Sequence, residues 1–226
     1  MSVDAVLFDL DGTLVDTAPD LVAVLNRLLA EAGKPPVPYA VARNEVSNGA
    51  LGLIRLGFGA ETSPAAIEQL RARFLEIYSG AVCAKSRLFL SLEKLVNLGS
   101  PKRWGIVTNK PHEMTVPLLE RLGVAERFGS VVSGDRLPQK KPDPAPLLLA
   151  AEELGASPSR CVYVGDAPRD IEAGRAAGMA TIAAAYGYIR PGNDVRAWSA
   201  DLLVRHPSGL AAAIDTLARR KADDAA

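Results

Sequence analysis

Short apolar segments alternate with amphipathic helical patterns over most of the chain, and this alternation limits the folds open to it. Strand–helix alternation with short connections is typical of a parallel sheet that helices cover on both faces. We therefore predict an α/β fold with a parallel sheet as its core. The predicted strands are Ala5–Leu10, Trp104–Thr108, Gly129–Ser133, Cys161–Val164, Ala180–Ala184 and Leu202–Val204.

The stretch between the first two predicted strands breaks this alternation. It contains helical patterns over Pro19–Ala32 and Pro64–Tyr78, and no convincing strand. We therefore predict a core domain formed by residues 1–16 and 83–226, with a helical cap domain inserted at residues 17–82. Helices over Glu113–Leu122, Pro144–Leu154 and Arg169–Ala177 are predicted within the core.

Composition excludes several classes of protein. The chain has 26 Lys and Arg against 26 Asp and Glu, and a zero formal net charge argues against a nucleic acid or an anionic lipid surface as partner. The two cysteines, Cys83 and Cys161, exclude a disulfide framework and a cysteine-rich zinc site. Early acidic residues argue against a signal peptide, and no apolar run is long enough to span a membrane. We expect a cytoplasmic protein.

The strongest chemical signal is the segment Phe8–Thr13, which reads Phe-Asp-Leu-Asp-Gly-Thr. Asp9 and Asp11 end a predicted strand, where residues two apart face the same way. Both carboxylates can thus converge at the carboxyl edge of the sheet, where open α/β folds bind ligands. The alternative is an acidic pair on a surface loop, which the preceding apolar strand and the following Gly-Thr disfavour.

Three further segments place polar groups after predicted strands or before a helix. Thr108 and Asn109 follow one strand, Lys141 precedes a helix, and Asp166 and Asp170 follow another strand. Alone, each has an ordinary explanation as a turn, a helix cap or a solvated loop. Together they would gather carboxylates, a hydroxyl and an ammonium at one crevice. Such a donor set suits Mg²⁺ and a substrate phosphate.

With these four motifs in order, the chain resembles the haloacid dehalogenase superfamily of phosphohydrolases over essentially its whole length. The resemblance implies a Rossmann-like core with a small α-helical cap inserted after the first motif. Segments 137–148 and 161–166 are similar to bacterial phosphoglycolate phosphatases. The segments Cys83–Phe89, Tyr186–Ile189 and Trp198–Asp201 resemble a close branch, the N-acetylmuramic acid 6-phosphate phosphatases.

The sequence departs from its relatives at three places. It has Arg-Leu-Phe-Leu at residues 87–90, where phosphoglycolate phosphatases often have Tyr-Pro-Gly-Val. Ser47 stands where many relatives have Gly, and Ala167 stands where Ser or Thr is usual. These differences leave the catalytic motifs intact and bear on the substrate.

The resemblance implies a role for each acidic residue. Asp9 would be the nucleophile that forms an aspartyl-phosphate, and Asp11 would protonate the leaving alcohol and then activate water. Mg²⁺ would be held by Asp9, the backbone carbonyl of Asp11 and Asp166, with Asp170 as a ligand or a support. The ion would neutralise charge between an anionic nucleophile and an anionic phosphate.

The remaining candidates would bind substrate. Thr108, the amide of Asn109 and Lys141 would hold the phosphate oxygens, where charge is spread in the transition state. In the cap, Arg43 and Asn48 are candidates for selecting the substrate. Arg43 could bind a substrate carboxylate through two hydrogen bonds, or be a solvated charge of the cap.

The function expected from the sequence is Mg²⁺-dependent hydrolysis of a small phosphate ester, with 2-phosphoglycolate as the first candidate and N-acetylmuramic acid 6-phosphate as the alternative. A phosphomutase is less favoured, because the histidine that such enzymes usually carry in the first cap helix is absent from residues 17–32. A carbon–halogen hydrolase would not need Asp11. A non-enzymatic binding module would require a broken motif, and none is broken.

Overall fold

The structure, a computed structural model, describes residues 3–98 and 103–223. Its centre is a six-stranded sheet in which every pair of neighbouring strands is parallel. The strands of this sheet are β1 (Ala5–Phe8), β4 (Trp104–Val107), β5 (Ser130–Val132), β6 (Cys161–Gly165), β7 (Ala180–Ala184) and β8 (Leu202–Val204). Their spatial order is β5-β4-β1-β6-β7-β8. This arrangement confirms the predicted α/β fold.

Strand β1 lies in the interior of the sheet, between β4 and β6. Leu7 of β1 pairs with Gly105 of β4 and Tyr163 of β6. The register aligns the carboxyl ends of these three strands. The chain order reverses on either side of β1, and such a switch point is where open α/β sheets bind ligands.

Nine helices accompany the strands in the described ranges. They are α1 (Ala18–Glu31), α2 (Tyr39–Ala42), α3 (Gly49–Phe58), α4 (Pro64–Ser79), α5 (Leu92–Leu98), α6 (His112–Arg121), α7 (Ala145–Glu153), α8 (Pro168–Ala176) and α9 (Leu210–Asp223). Each helix predicted from the sequence is present, with its ends shifted by no more than one residue. Of the helices described, none has the length and apolar content needed to cross a membrane.

Both faces of the sheet are buried, which explains the continuous apolar runs of its strands. Successive residues of β1 point to opposite faces. Val6 and Phe8 belong to the larger apolar cluster, which also contains Leu25 of α1. Ala5 and Leu7 belong to a smaller cluster that includes Leu147 of α7.

A second, two-stranded sheet frames the helical segment. Strand β2 (Val15–Asp16) pairs antiparallel with β3 (Arg87–Leu88), so the chain leaves and re-enters the core at one place. Helices α1, α3 and α4 pack against one another between these two strands. We call α1–α4 the helical insertion. The division into a core of residues 1–16 and 83–226 and a cap of residues 17–82 stays a prediction.

Asp20 ties the beginning of the helical insertion to its end. The buried carboxylate accepts hydrogen bonds from the backbone N–H groups of Lys85 and Ser86, at 2.8 and 2.9 Å, and from the Ser86 hydroxyl at 2.6 Å. Three donors to one buried carboxylate satisfy a group that would otherwise be costly to bury. The contact fixes the two connecting segments relative to each other.

Candidate active site

The carboxyl ends of the central strands bring the predicted residues together. Asp9 follows β1, Thr108 follows β4, and Asp166 follows β6. All three side chains are buried. Their proximity follows from the parallel register, because neighbouring parallel strands end at the same edge of the sheet.

Three aspartates form a compact buried group. Asp9, Asp166 and Asp170 each offer a carboxylate oxygen, and these oxygens lie within 4.8 Å of one another. Lys141 contacts two of them: its Nζ is 2.9 Å from Asp9 Oδ1 and 2.8 Å from Asp170 Oδ1. The side chain of Asp11 is not part of this group.

Lys141 is fixed by hydrogen bonds to both its side-chain ammonium and its backbone. Its Nζ also donates to the carbonyl of Val107 at 2.9 Å and to the hydroxyl of Tyr163 at 2.7 Å. The Asn109 side chain donates to the Lys141 carbonyl and accepts from the Lys141 N–H, each at 3.1 Å. These two bonds join the loop after β4 to the loop before α7. A buried ammonium with these partners is positioned as a fixed positive charge beside Asp9.

Asp166 has the clearest features of a metal ligand. Its Oδ2 accepts from the Ser47 hydroxyl at 2.7 Å and from the Tyr188 N–H at 2.8 Å, whereas its buried Oδ1 has no hydrogen-bond partner in the described part of the chain. Burial, with added repulsion from Asp9 and Asp170, raises the pKa of Asp166 to about 7. A divalent cation would supply the missing partner and relieve the repulsion, so these residues fit a metal ion.

Gly12 leaves room for this carboxylate. A Cβ atom on Gly12 would lie 2.1 Å from Asp166 Oδ2, and the residue has φ +87°. Both the contact and the backbone angle therefore require glycine here. The requirement for glycine at position 12 thus comes from Asp166, which is more than 150 residues away in the sequence.

Asp11 belongs to a separate hydrogen-bond network. Its Oδ1 accepts from the Thr17 hydroxyl at 2.6 Å and from Lys110 Nζ at 3.1 Å. The Lys110 ammonium also lies 4.5 Å from the centre of the Tyr78 ring. Burial lowers the pKa of Lys110, but Asp11 and Tyr78 outweigh it and hold the pKa above its ordinary value. The predicted role of the Asp11 backbone carbonyl in metal binding stays a prediction.

A cavity of about 450 Å³ opens between the strand ends and the helical insertion. Residues of the core that line it are Asp9, Asp11, Thr108, Asn109, Lys110, Pro111, Met114, Lys140 and Arg169. Residues of the helical insertion and its loops that line it are Leu21, Val46, Ser47, Asn48, Gly49, Ala50, Leu51, Arg71, Phe74, Leu75 and Tyr78. The cavity thus has a polar floor at the sheet and largely apolar walls above it.

The two substrate-binding candidates of the helical insertion are placed differently. Asn48 lines the cavity, and its amide donates to Glu45 at 3.1 Å. Arg43 is absent from the cavity wall: its guanidinium donates to the carbonyls of Gly187 and Tyr186, at 3.0 and 3.4 Å, and lies over the Tyr188 ring. This arrangement does not favour binding of a substrate carboxylate by Arg43. It fastens the insertion to the core loop after β7.

Among the residues at the site that were not predicted from the sequence, four hold other groups in place. Ser47 and Tyr188 hold Asp166, Lys110 holds Asp11, and Arg169 donates to the Ser47 carbonyl at 2.6 Å. Lys110 and Arg169 lie within recognised motifs, so their charge at a strand end or a helix start was a usable signal. Ser47 and Tyr188 were noted only in the comparison with similar sequences, and only the packing of distant segments brings them to Asp166.

The sequence that forms this parallel sheet and its buried acidic group also matches the model of a known protein family. Residues 3–178 match the model of the haloacid dehalogenase-like hydrolases. The chain therefore belongs to this family of hydrolases.

Similar proteins carry two different names. The chain is 43% identical over 225 residues to the N-acetylmuramic acid 6-phosphate phosphatase of Pseudomonas aeruginosa, covering 99% of this chain and 98% of the relative. It is 43% identical over 210 residues to a phosphoglycolate phosphatase of Xanthomonas campestris, covering 91% and 94%. A crystal structure of a predicted phosphoglycolate phosphatase from Haemophilus somnus is 25% identical with a TM-score of 0.81, covering 94% and 98%. With these relatives, the chain is a phosphatase of the family.

Proposed function

We propose that this phosphatase hydrolyses N-acetylmuramic acid 6-phosphate through a covalent intermediate on Asp9. The observation that carries the choice of substrate is the cavity of about 450 Å³ above the acidic group. This volume lies within the range of about 300–1,000 Å³ that is usual for small-molecule sites. An amino-sugar acid would occupy much more of such a space than a two-carbon acid would.

The first chemical step is attack of the Asp9 carboxylate on phosphorus. A bond forms between a carboxylate oxygen of Asp9 and the phosphorus atom, and the bond from phosphorus to the sugar O6 breaks. Asp11 supplies the proton that the departing O6 needs. Lys141, 2.9 Å from Asp9, would hold the phosphate oxygens together with Thr108 and Asn109. The positive charge is in place before reaction, which lowers the cost of charge development.

The second step returns Asp9 to its starting form. Asp11, now ionised, removes a proton from water, and the resulting oxygen nucleophile attacks the phosphorus of the aspartyl-phosphate. The bond between phosphorus and the Asp9 oxygen breaks, inorganic phosphate leaves, and Asp11 is again protonated. The apolar walls contributed by Phe74, Leu75 and Met114 would limit access of other water.

The residues that would hold Mg²⁺ are Asp9, Asp166 and Asp170, with the Asp11 carbonyl as a further candidate. Two observations support this assignment: the three carboxylates lie within 4.8 Å of one another, and Asp166 Oδ1 is buried without a partner among the described residues. When bound, the ion would neutralise charge on the nucleophile and on the substrate phosphate.

Addition of Mg²⁺ is expected to raise the melting temperature more at pH 8 than at pH 6. The folded-state pKa of Asp166 is about 7, above its ordinary value of 3.8. The metal-free folded protein therefore binds a proton at the Asp166 carboxylate more tightly than the unfolded chain does. The stabilising effect of this group therefore declines as pH rises from about 4 to 7. A cation requires the ionised carboxylate, so it binds better as pH rises. Thermal unfolding with and without Mg²⁺ measures the difference.

Asp166→Asn is the matched control for this measurement. The amide retains a carbonyl oxygen for the Ser47 and Tyr188 donors but has no charge to titrate. We expect the variant to lose most of the gain from Mg²⁺ at both pH values. An equal gain at pH 6 and pH 8 in the unmodified protein would contradict a role for Asp166 in holding the ion.

Similarity across the full chain also supports the muramic acid substrate. The relative named for this activity is aligned over 99% of this chain and 98% of its own length. A second relative of that name, from Pseudomonas putida, is 41% identical over 219 residues. The alignment thus includes the whole helical insertion, which forms the apolar wall of the cavity.

2-Phosphoglycolate is the second candidate. The relatives from Xanthomonas campestris that carry the phosphoglycolate name are also 43% identical, over 210 residues. Both candidate substrates contain a carboxylate and a phosphate monoester, so the chemistry at Asp9 is common to them. The volume of the cavity favours the larger substrate, since a small ligand makes fewer contacts with its walls.

A direct comparison of kcat/KM tests the proposed function. Purified protein with Mg²⁺ is assayed for phosphate release from N-acetylmuramic acid 6-phosphate and from 2-phosphoglycolate. We expect kcat/KM to be at least about tenfold higher for the muramic acid ester, a difference of about 1.4 kcal/mol in transition-state binding. A preference for 2-phosphoglycolate would overturn the choice of substrate and leave the hydrolytic chemistry standing.

A further inference from the structure

The cavity wall formed by the helical insertion carries one charged side chain among the described residues, that of Arg71. The other cavity-lining cations, Lys110, Lys140 and Arg169, belong to the core. Lys110 is paired with Asp11, and Arg169 donates to the Ser47 carbonyl. Lys140 is next to Lys141, on the loop that serves the phosphate. Arg71 is therefore the cation that faces the part of a substrate remote from the phosphate.

The spacing of α4 directs Arg71 into the cavity. Residues three, four and seven positions later, namely Phe74, Leu75 and Tyr78, line the same cavity. Positions i, i+3, i+4 and i+7 share one face of a helix. Arg71 thus continues the row of α4 residues that line the cavity, and it adds a guanidinium group to a largely apolar wall.

The Arg71 guanidinium is available to a ligand. Its one ion pair within the described ranges is with Glu68 at 3.6 Å, and the two side chains are 44% and 70% exposed. Exposed pairs of this kind are weak, and a carboxylate bound in the cavity could replace Glu68. Arg43 offers no such opportunity, because carbonyl groups and the Tyr188 ring already occupy its guanidinium.

We propose that Arg71 is a specificity-determining residue, which binds a carboxylate of the substrate while the core binds its phosphate. The proposal rests on the proposed function described above. It names the substrate class as phosphate monoesters that carry a carboxylate as a second anionic group. Asp9, Thr108, Asn109 and Lys141 complete the phosphate end, so a second cation across the cavity calls for a second anion. A guanidinium binds a carboxylate through two parallel hydrogen bonds.

Paired substrates test this inference. N-acetylmuramic acid 6-phosphate is compared with N-acetylglucosamine 6-phosphate, which lacks the carboxylate-bearing ether. Arg71→Met is expected to lower kcat/KM for N-acetylmuramic acid 6-phosphate by about 10- to 100-fold. The value of kcat/KM for the ester without the carboxylate should change by less than about threefold. Arg71→Lys should recover part of the loss, because charge remains but the second hydrogen bond does not.

Arg73→Met is the matched control. Arg73 lies on the same helix, but its guanidinium binds Glu31 and Glu76 and does not line the cavity. We expect it to leave the ratio of kcat/KM between the two sugar phosphates unchanged. Equal losses on both sugar phosphates in Arg71→Met, or no loss on either, would overturn the role of Arg71. A preference of the unmodified enzyme for 2-phosphoglycolate would instead refute the proposed substrate, and the ratio between the two sugar phosphates would still test Arg71.

Discussion

Replacing Asp9 with asparagine is expected to lower kcat by at least about 10⁴-fold on every phosphate ester, because the amide cannot act as the attacking nucleophile. Asn is close to Asp in shape, so the fold should survive. The change removes the charge of one partner of the Lys141 ammonium, which is 2.9 Å from Asp9, while Asp170 remains at 2.8 Å. Phosphate release from p-nitrophenyl phosphate with Mg²⁺ measures the loss.

Asp4→Asn is the control for this experiment. Asp4 precedes the same strand at its opposite end and pairs with Arg160, far along the strand from the chemistry. We expect its kcat to stay within about twofold of the unmodified enzyme, because no reacting group is touched. Substantial turnover by Asp9→Asn, with an unchanged melting temperature, would show that the nucleophile is elsewhere.

Asp11→Asn is expected to lower kcat for a sugar phosphate by about 10²- to 10⁴-fold, the usual contribution of general acid–base catalysis. The side-chain oxygen of asparagine can still accept from Thr17 and Lys110, which lie 2.6 and 3.1 Å from Asp11 Oδ1. The network should therefore remain while the transferable proton is lost. Steady-state phosphate release from N-acetylmuramic acid 6-phosphate measures this effect.

A leaving group that needs no proton separates the two roles of Asp11. With p-nitrophenyl phosphate, the first step should proceed in Asp11→Asn while breakdown of the aspartyl-phosphate is slow. We expect a burst of p-nitrophenol close to one equivalent per enzyme, followed by slow turnover. Near-normal hydrolysis of the sugar phosphate by this variant would exclude Asp11 as the acid.

The six strands of the main sheet were predictable because the central ones are buried on both faces and all six are rich in apolar residues. The convergence of Asp9, Thr108 and Asp166 followed from the same observation, since parallel strands end at one edge. The two-residue strands Val15–Asp16 and Arg87–Leu88 were not predicted. They are too short to produce an alternating pattern, and their pairing depends on where the helical insertion returns.

The helical insertion was predicted less completely. Its two long helices have strong periodic patterns, whereas α3 contains Gly52 and Gly57 and begins at Gly49, residues that weaken any helical pattern. Side-chain partners were the least predictable part of the site. Arg43 was a reasonable candidate for a carboxylate, yet the loop after β7 supplies carbonyl groups that occupy it.

The interior position of β1 has a consequence for biosynthesis. The strand that precedes Asp9 is made first, but both of its neighbours come later, at residues 104–107 and 161–165. A nascent chain emerging from the ribosome thus exposes two unpaired edges of β1 until most of the polypeptide has been translated. Enzymatic activity consequently arises late, and a chain that terminates before β6 lacks Asp166 and Asp170 and has no means of assembling the acidic group.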